Sequence, residues 1–380
     1  MPVGDRTLTL FLSNGGSLIR WHKDGILSRE ILLYLHFLRT GIFDRVRIFS
    51  YHGGDPAYVK RLAATDPVYH GIEVVAPRQP GEPRAFGRIL WSLWGPLRHR
   101  AVIRRSLALK TNQVSGAWSA ILSHWLTGRP LVFRMGYLLS RRLRRNGSGV
   151  AARVAAMIER TACRAAARVL VTSQDTAGQL GARPAVAEKL ILTPTYVDVA
   201  AFTPKQDYDF TRPVIAVGRL TPQKNLANLI CACAEVGCGL VLVGVGECEA
   251  ELQALAAKTG ADVTFAGRVQ NDALAVRLKE HSIFALPSLH EGLPKALIEA
   301  MACGLVCVGS DIPGVVDLIE DGRTGYLIRG FESGDIAAAL RRAMAEQRSS
   351  VGQAARAAIE DSFSLERYAT READVYRALA

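Results

Sequence analysis

Apolar positions along this chain change their period at regular intervals, and the changes outline its elements. Thr7–Ser13 carries Leu8, Leu10, Phe11 and Leu12 and reads as a strand, which Asn14-Gly15-Gly16-Ser17 ends as a tight loop. Ile31, Leu32, Leu35 and Leu38 then recur at three- and four-residue spacing, which predicts a helix over Ile26–Thr40 stopped by Gly41. Val46–Tyr51 reads as the next strand. Strand, glycine loop, helix and strand in that order imply a parallel sheet with helices on its faces. Further short strands are expected at Leu131–Phe133, Val169–Thr172 and Leu190–Leu192.

A polar, proline-broken stretch near 198–213 marks a boundary, after which the alternation is cleaner. Strands are expected at Val214–Val217, Leu240–Val243, Val263–Phe265, Ile283–Leu286, Val306–Gly309 and Gly325–Leu327. Helices are expected at 224–236, 249–259, 271–280, 294–303 and 313–319, and the last part, Ile336–Glu346, Ser349–Ser362 and Leu365–Leu379, is helical. Two α/β domains of about equal size follow, with a cleft expected between the carboxyl ends of their sheets.

Charge divides the chain in the same place. Residues 1–205 hold 30 Lys and Arg against 12 Asp and Glu, whereas residues 206–380 hold 17 against 23. A basic half suggests an anionic partner. Its most unusual part is 84–110, where Phe86, Ile89, Leu90, Leu93, Trp94, Leu97 and Ile103 are interleaved with Arg84, Arg88, Arg98, Arg100, Arg104, Arg105 and Lys110. Aromatic and basic residues so mixed suit an anionic membrane surface; an ordinary core-covering helix with its arginines outward is the plainer alternative. A second basic cluster, Arg141, Arg142, Arg144 and Arg145, runs into Asn146-Gly147-Ser148-Gly149 as an exposed loop. No helix-turn-helix, zinc-finger or RNA-recognition pattern accompanies the charge, so nucleic acid is not the expected partner.

Seven cysteines lack the paired spacing of a zinc site and are expected as small buried hydrophobes. The opening residues, MPVGDRTLTLFLSNGG, do not read as a signal peptide, and no stretch reaches eighteen uninterrupted apolar residues. A cytoplasmic protein, peripheral on the inner face of the membrane through residues 84–110 and 141–145, is the expectation.

Two segments carry candidate chemistry. In Gly218-Arg219-Leu220-Thr221-Pro222-Gln223-Lys224-Asn225, a strand ends in glycine and two cations precede the next helix. A helix start with two added cations suits a diphosphate, although both side chains facing solvent would give the same spacing. In Pro287-Ser288-Leu289-His290-Glu291-Gly292-Leu293-Pro294-Lys295-Ala296-Leu297-Ile298-Glu299, Glu291 sits in a loop and Glu299 eight residues on, within an apolar helix. A carboxylate buried there needs a partner, and a ribose hydroxyl pair is one; a solvent-facing helix position is the alternative. Gly292 allows close backbone approach to a ligand. Gly15-Gly16 is a weaker phosphate or sugar loop, because the GxGxxG fingerprint is absent there, and Gly244-Val245-Gly246 follows an interior strand, which argues against an NAD enzyme.

Together Gly218-Arg219, Lys224, the Glu291/Glu299 pair within HEGLPKALIEAMACG, DIPGVVDLIEDGRTGYLI and the final FSLERYATREADVY resemble the retaining family 4 glycosyltransferases of the GT-B fold. The resemblance implies an α/β GT-B architecture of two Rossmann-like domains facing each other across a cleft. The first, 1–204, would bind the acceptor, and the second, 205–362, the nucleotide-sugar. The last helix, about 363–380, would cross back to the first domain. It also implies residue roles. Arg219 and Lys224 hold the donor diphosphate and stabilise the leaving nucleotide, and Glu299 binds ribose. Glu291 contacts the transferred sugar, with the backbone of Gly292 and Leu293 nearby, and His290, Pro294 and Leu297 are further donor-binding residues. Gly218 belongs to the diphosphate loop, Gly15 and Gly16 lie close to the diphosphate, and backbone near Arg268 and Val269 holds the base. Arg219, Lys224 and Glu291 are the implied catalytic residues.

The implied donor is a UDP- or GDP-sugar, with no metal and no other cofactor, since the two cations replace a metal. The implied acceptor is a glycan or a lipid-linked molecule in bacterial cell-surface polysaccharide or glycolipid synthesis. Where many members carry a first-domain histidine, this chain has Lys110-Thr111-Asn112-Gln113. Asn112 and Gln113 are the candidates to replace it. Arg134 contacts donor phosphate or an acidic acceptor, or makes a structural salt bridge. A soluble enzyme acting on a small acceptor, and a non-catalytic sugar-binding or basic-surface protein, are the competing classes.

Overall fold

The computed structural model describes residues 6–79, 81–145 and 147–379; Met1–Asp5, Pro80, Asn146 and Ala380 lie outside the description, as do the side chains of Arg142, Arg145 and Asp175. Half of the second expected basic cluster therefore falls outside the described residues. The chain divides into two compact units, residues 1–194 with 369–380, and residues 195–368.

The first unit is built on seven parallel strands: β1 (Thr7–Phe11), β2 (Arg45–Phe49), β3 (Ile72–Val75), β4 (Ala108–Thr111), β5 (Leu131–Met135), β6 (Arg168–Val171) and β7 (Leu190–Leu192). Their order is β3-β2-β1-β4-β5-β6-β7. Every residue of β1 is buried, as expected for a central strand with helices over both faces. The second unit has six strands: β8 (Val214–Val217), β9 (Leu240–Val243), β10 (Val263–Gly267), β11 (Ile283–Leu286), β12 (Val306–Ser310) and β13 (Tyr326–Ile328). Their order, β10-β9-β8-β11-β12-β13, repeats the scheme. Its apolar side chains alternate between two cores, Ile215 packing on one sheet face and Val214 and Ala216 on the other. Both units are Rossmann-like. In each, the chain winds outward from the first strand in one direction, then returns to its other side. The carboxyl ends of β1 and β4, and of β8 and β11, are therefore the switch points where a ligand finds room.

The unit boundary falls at Pro194/Thr195, a few residues before the polar stretch near 198–213. Apolar anchors outweigh local polarity there. Val197 donates its amide to Phe363 O at 2.9 Å and accepts from Leu365 N at 3.1 Å. Phe202 is buried in the second unit's core, and Lys205 is itself buried, donating to His281 O (2.5 Å) and Ser282 Oγ (2.9 Å). A second difference is local: 313–319 is a series of turns instead of a helix, because Gly314 adopts φ +83° and interrupts it. All seven cysteines are free, four of them buried.

Lys110 corrects the reading of 84–110 as one basic surface. It sits on β4 with a side chain 1% exposed and pairs with the fully buried Glu372. Glu372 comes from the last helix, Leu365–Arg377. That helix starts in the second unit, with Tyr368 against Tyr196 (ring centroids 4.7 Å apart), and from Ala369 onward belongs to the first. Tyr376 donates to Glu372 Oε1 at 2.7 Å, and its ring meets Phe43 and Phe37 edge-on. Burial pushes the Lys110 ammonium down to about 8, against the opposing pull of Glu372. Removing the carboxylate would strand a cation in the core. Glu372→Ala is therefore expected to destabilise the first unit by about 3–5 kcal/mol. Lys110→Met with Glu372→Leu should recover most of that loss, measured by urea denaturation followed by circular dichroism.

Candidate functional site

The second unit's switch point brings together the two segments singled out by sequence. After β8, residues Pro222–Lys224 form a 3-10 turn, Asn225 takes a left-handed conformation (φ 53°), and the helix Leu226–Val236 starts only there. Lys224 thus lies before the helix and not at its first turn, which corrects the expectation of a helix over 224–236. Asn225 is held in this strained position by donating its side-chain amide to Phe331 O at 2.8 Å. After β11, the chain enters Pro287–Pro294. The two loops are joined by Leu289 N donating to Gln223 O (2.9 Å) and Gln223 Nε2 donating to His290 O (2.7 Å). Lys224 Nζ then reaches Glu291 Oε1 at 2.6 Å, with side chains 17% and 10% exposed. Gln223 was not singled out by sequence, because a glutamine bonding a backbone carbonyl 67 residues away leaves no local pattern.

Glycines set how closely these loops approach their neighbours. Gly244, after β9, has φ +145°, and a Cβ there would lie 1.9 Å from Gly218 O. The Gly218–Leu220 segment can therefore lie directly on Gly244–Gly246, with Gly218 N donating to Val243 O and Leu220 N to Val245 O. This packing accounts for the Gly244-Val245-Gly246 sequence without a dinucleotide. Gly314 plays the same part for the other loop: a Cβ on it would sit 1.5 Å from Gly292 O.

The remaining expected residues divide by burial. Arg219 follows β8, is exposed, and makes no ion pair among the described residues. His290 and Gly292 are exposed, and Leu293 is half-buried against the core. Pro294 is buried as the cap of helix Lys295–Ala302. Glu299, on that helix, is 5% exposed, so its solvent-facing alternative is discarded. Leu297 is fully buried with its side chain in the core. Arg268 and Val269 follow β10, two strands from β8. Arg268 is exposed, whereas Val269 packs against the core. Among the described residues, no three His, Cys, Asp or Glu side chains converge as a metal-ligand group.

In the first unit, Gly15 and Gly16 are buried in the turn after β1, where Gly16 N donates to Ser13 O at 2.7 Å. The short helix that follows, Leu18–Lys23, has its first amides taken by a protein carboxylate. Asp55, fully buried, accepts from Leu18 N (2.8 Å), Ile19 N (3.1 Å) and Ser50 Oγ (2.6 Å). Arg88 lies over Gly15, its Cδ 3.2 Å from where a Cβ would stand. Sequence spacing grouped Arg88 with the surface arginines; the fold brings it to this loop. At the carboxyl ends of β4 and β5, a second pocket is lined by Asn112, Gln113, Met135, Gly136 and Tyr137 among others. Asn112 Nδ2 donates to Tyr34 Oη at 2.8 Å, and its buried Oδ1 has no hydrogen-bond partner among the described residues. Arg134 does not line that pocket; it is near enough to Lys110 to lower that ammonium's pKa.

Comparison with known proteins agrees with this architecture. Residues 205–359 match the family model described as Glycosyl transferases group 1. The amylovoran biosynthesis glycosyltransferase AmsK of Erwinia amylovora is 33% identical over 195 residues, 47% of this chain and 48% of that one. A GDP-mannose-dependent alpha-mannosyltransferase of Mycolicibacterium smegmatis is 31% identical over 163 residues, 40% of this chain and 42% of that one. The chain thus spans about half the length of these two relatives. The fold is shared with the HepE protein of Anabaena, solved with UDP and glucose (TM-score 0.74, 19% identity, 98% of this chain and 99% of that one). It is shared also with sucrose-phosphate synthase of Thermosynechococcus elongatus (TM-score 0.76, 20% identity, 98% and 99%). The match to that model lies within the second unit, and the two Rossmann-like units share the fold of these solved structures.

The contact at Gly314 gives a direct test of how the site is held. Gly314→Ala places a Cβ against Gly292 O in a left-handed backbone, and is expected to cost about 2 kcal/mol or more. It should also displace the loop bearing Glu291. Thermal denaturation reads the first effect, and faster amide hydrogen exchange across Pro287–Pro294 reads the second.

Proposed function

We propose that the protein is a retaining glycosyltransferase that moves a hexose or N-acetylhexosamine from a UDP- or GDP-sugar to a glycan or lipid-linked acceptor. The observation that carries this reading is the Lys224–Glu291 pair at the carboxyl ends of β8 and β11, with the exposed Arg219 in the same loop as Lys224. A cation held by a carboxylate in a mostly dry loop is prepared to exchange partners with an incoming diphosphate. Glu291 is then released toward the hydroxyls of the transferred sugar. Glu299, buried two helical turns beyond, is suited to the paired ribose hydroxyls.

In the proposed reaction the bond from the sugar C1 to the diphosphate oxygen breaks, and the charge growing on that oxygen is met by Lys224 and Arg219. The acceptor oxygen bonds to C1 on the same face, and its proton passes to the departing phosphate. These two cations do the work of a metal, so none is required in this reading. The match to glycosyl transferases group 1, and relatives named for amylovoran and mannose transfer, support a role in bacterial cell-surface polysaccharide or glycolipid synthesis. The proposed place of action is the cytoplasm, at the inner face of the membrane. No helix among the described residues is long and apolar enough to cross a membrane. The first-unit pocket at Asn112 and Gln113 is the proposed acceptor side.

Thermal shift against UDP, GDP, ADP and their sugar conjugates should give one clear stabilisation, which fixes the base. With that donor, Lys224→Ala is expected to lower kcat/KM by about 100- to 1000-fold. A loss within about twofold, roughly 0.4 kcal/mol, would remove Lys224 from the chemistry. The anomeric configuration of the product, read by NMR, tests retention.

A further inference from the structure

Helix Ala85–Arg98 is built inside out. The side it turns to the protein is small: Ser92, Gly95 and Pro96 are its buried residues. A Cβ on Gly95 would lie 2.5 Å from the Phe49 ring, and Ser119 Oγ donates to Ser92 O at 3.0 Å. Trp91 stacks on Phe49 (centroids 5.2 Å apart) and donates its indole N–H to Ser50 O. The outward side is the apolar one. Phe86 (71% exposed), Ile89, Leu90, Leu93, Trp94 (60%) and Leu97 recur at three- and four-residue spacing along one stripe. A water-facing helix normally presents the reverse pattern, and a contiguous apolar stripe of this kind marks an interaction surface.

The stripe is part of a larger face. Helix Val114–Thr127 packs against this helix and against helix Gly149–Ala165, so the three form one layer over the first unit's sheet. The middle helix exposes Trp125 (65%), and the third exposes Val150 (76%), Val154 and Met157 at helical spacing. Arginines frame these side chains: Arg84, Arg98 and Arg100 on the first side, Arg153, Arg160 and Arg164 on the third helix, all exposed. From Arg84 to Arg164 the sequence holds 16 Lys and Arg but a single carboxylate, Glu159. That carboxylate is buried (3% exposed) and accepts from Ser140 N and Ser140 Oγ. The outer surface of the layer therefore carries cations and large apolar groups without an exposed acid.

The geometry points to this three-helix face as a docking surface for an anionic phospholipid bilayer. The aromatic and aliphatic stripe enters the boundary between headgroups and acyl chains, and the flanking arginines lie at the phosphates. A second copy of the chain fits less well. An isologous contact would set arginine against arginine with no carboxylate on either side to neutralise it. Nucleic acid would meet the arginines but leave the Leu, Ile, Val and Met side chains without an apolar medium. The surface differs from the one charge alone outlined, since Lys110 is excluded and Trp125, Val150, Val154 and Met157 are added. Its assignment does not depend on the transfer chemistry.

The test is flotation of the full chain with vesicles of phosphatidylcholine alone, or mixed with phosphatidylglycerol, without donor or acceptor. Binding is expected to the mixed vesicles, weakening as salt rises from about 0.1 M to about 0.5 M. Leu90→Ser with Trp94→Ser, at exposed positions that leave the core intact, should lower the partition coefficient at least about tenfold. Circular dichroism and nucleotide thermal shift check that this variant is folded. Arg98→Gln with Arg153→Gln and Arg160→Gln should flatten the salt dependence. The assignment is overturned if the wild type does not float with the mixed vesicles, or if the serine variant floats equally well. It is also overturned if light scattering finds a dimer that the serine substitutions dissociate. Failure of any nucleotide to bind, with flotation intact, would strike the proposed transfer activity and leave the bilayer surface standing.

Discussion

Lys224 and Glu291 belong to different loops, yet their charged groups are 2.6 Å apart and mostly withdrawn from water. Neither charge would be tolerated there without the other. The pair depends on strand order, because β8 and β11 are neighbours in the sheet although 65 residues lie between their facing ends. It depends also on backbone contacts between Gln223, Leu289 and His290, which hold the loops at a fixed separation before any ligand arrives. Those contacts set the spacing of the loops independently of the Lys224–Glu291 bond itself. Much of the second unit can be understood as support for it, including Gly244 beneath one loop and Gly314 beneath the other.

The first unit handles its buried charge differently. Asp55 satisfies two helix amides and a serine hydroxyl, and Glu372 meets Lys110 and Tyr376. In both cases a carboxylate has become part of the core through partners far away in sequence. The Lys110–Glu372 pair matters for connectivity, since it fixes the end of a helix that begins in the other unit. A buried ion pair adds little net stability over a well-packed apolar pair, but losing one partner leaves the other charge uncompensated in the core.

The layer formed by the helices at 85–98, 114–127 and 149–165 reverses the usual partition of side chains. Small residues at Ser92 and Gly95 let the first helix sit close to Phe49 and the neighbouring helix. Close approach, with Trp91 stacked on Phe49, fills the interior without Ile89, Leu90, Leu93, Trp94 and Leu97, which are left outside. The stability of the unit therefore comes from β1, β4, β5 and the inner helices, and the outer stripe is available for another purpose.

The α/β class, two Rossmann-like units and the segments around Lys224 and Glu291 were legible from sequence, because they are written in local period and short spacing. Strands are runs of apolar residues, and the glycines and cations after Val217 follow one another within a few positions. Even there the details belonged to the fold: the helix start moved past Lys224 because Asn225 is anchored by Phe331, and Leu297 turned to the core. Val197 and Phe202, two buried apolar side chains, tie the polar stretch that follows β7 to the second unit's core. Separation along the chain hid Gln223, Asp55 and the partner of Lys110, whose bonds span 67, 37 and 262 residues. Periodicity identified helix Ala85–Arg98 as amphipathic but left open which stripe faces inward. Sequence fixes the spacing of side chains along an element; which of them are buried depends on what packs beside that element, and only the tertiary structure decides that.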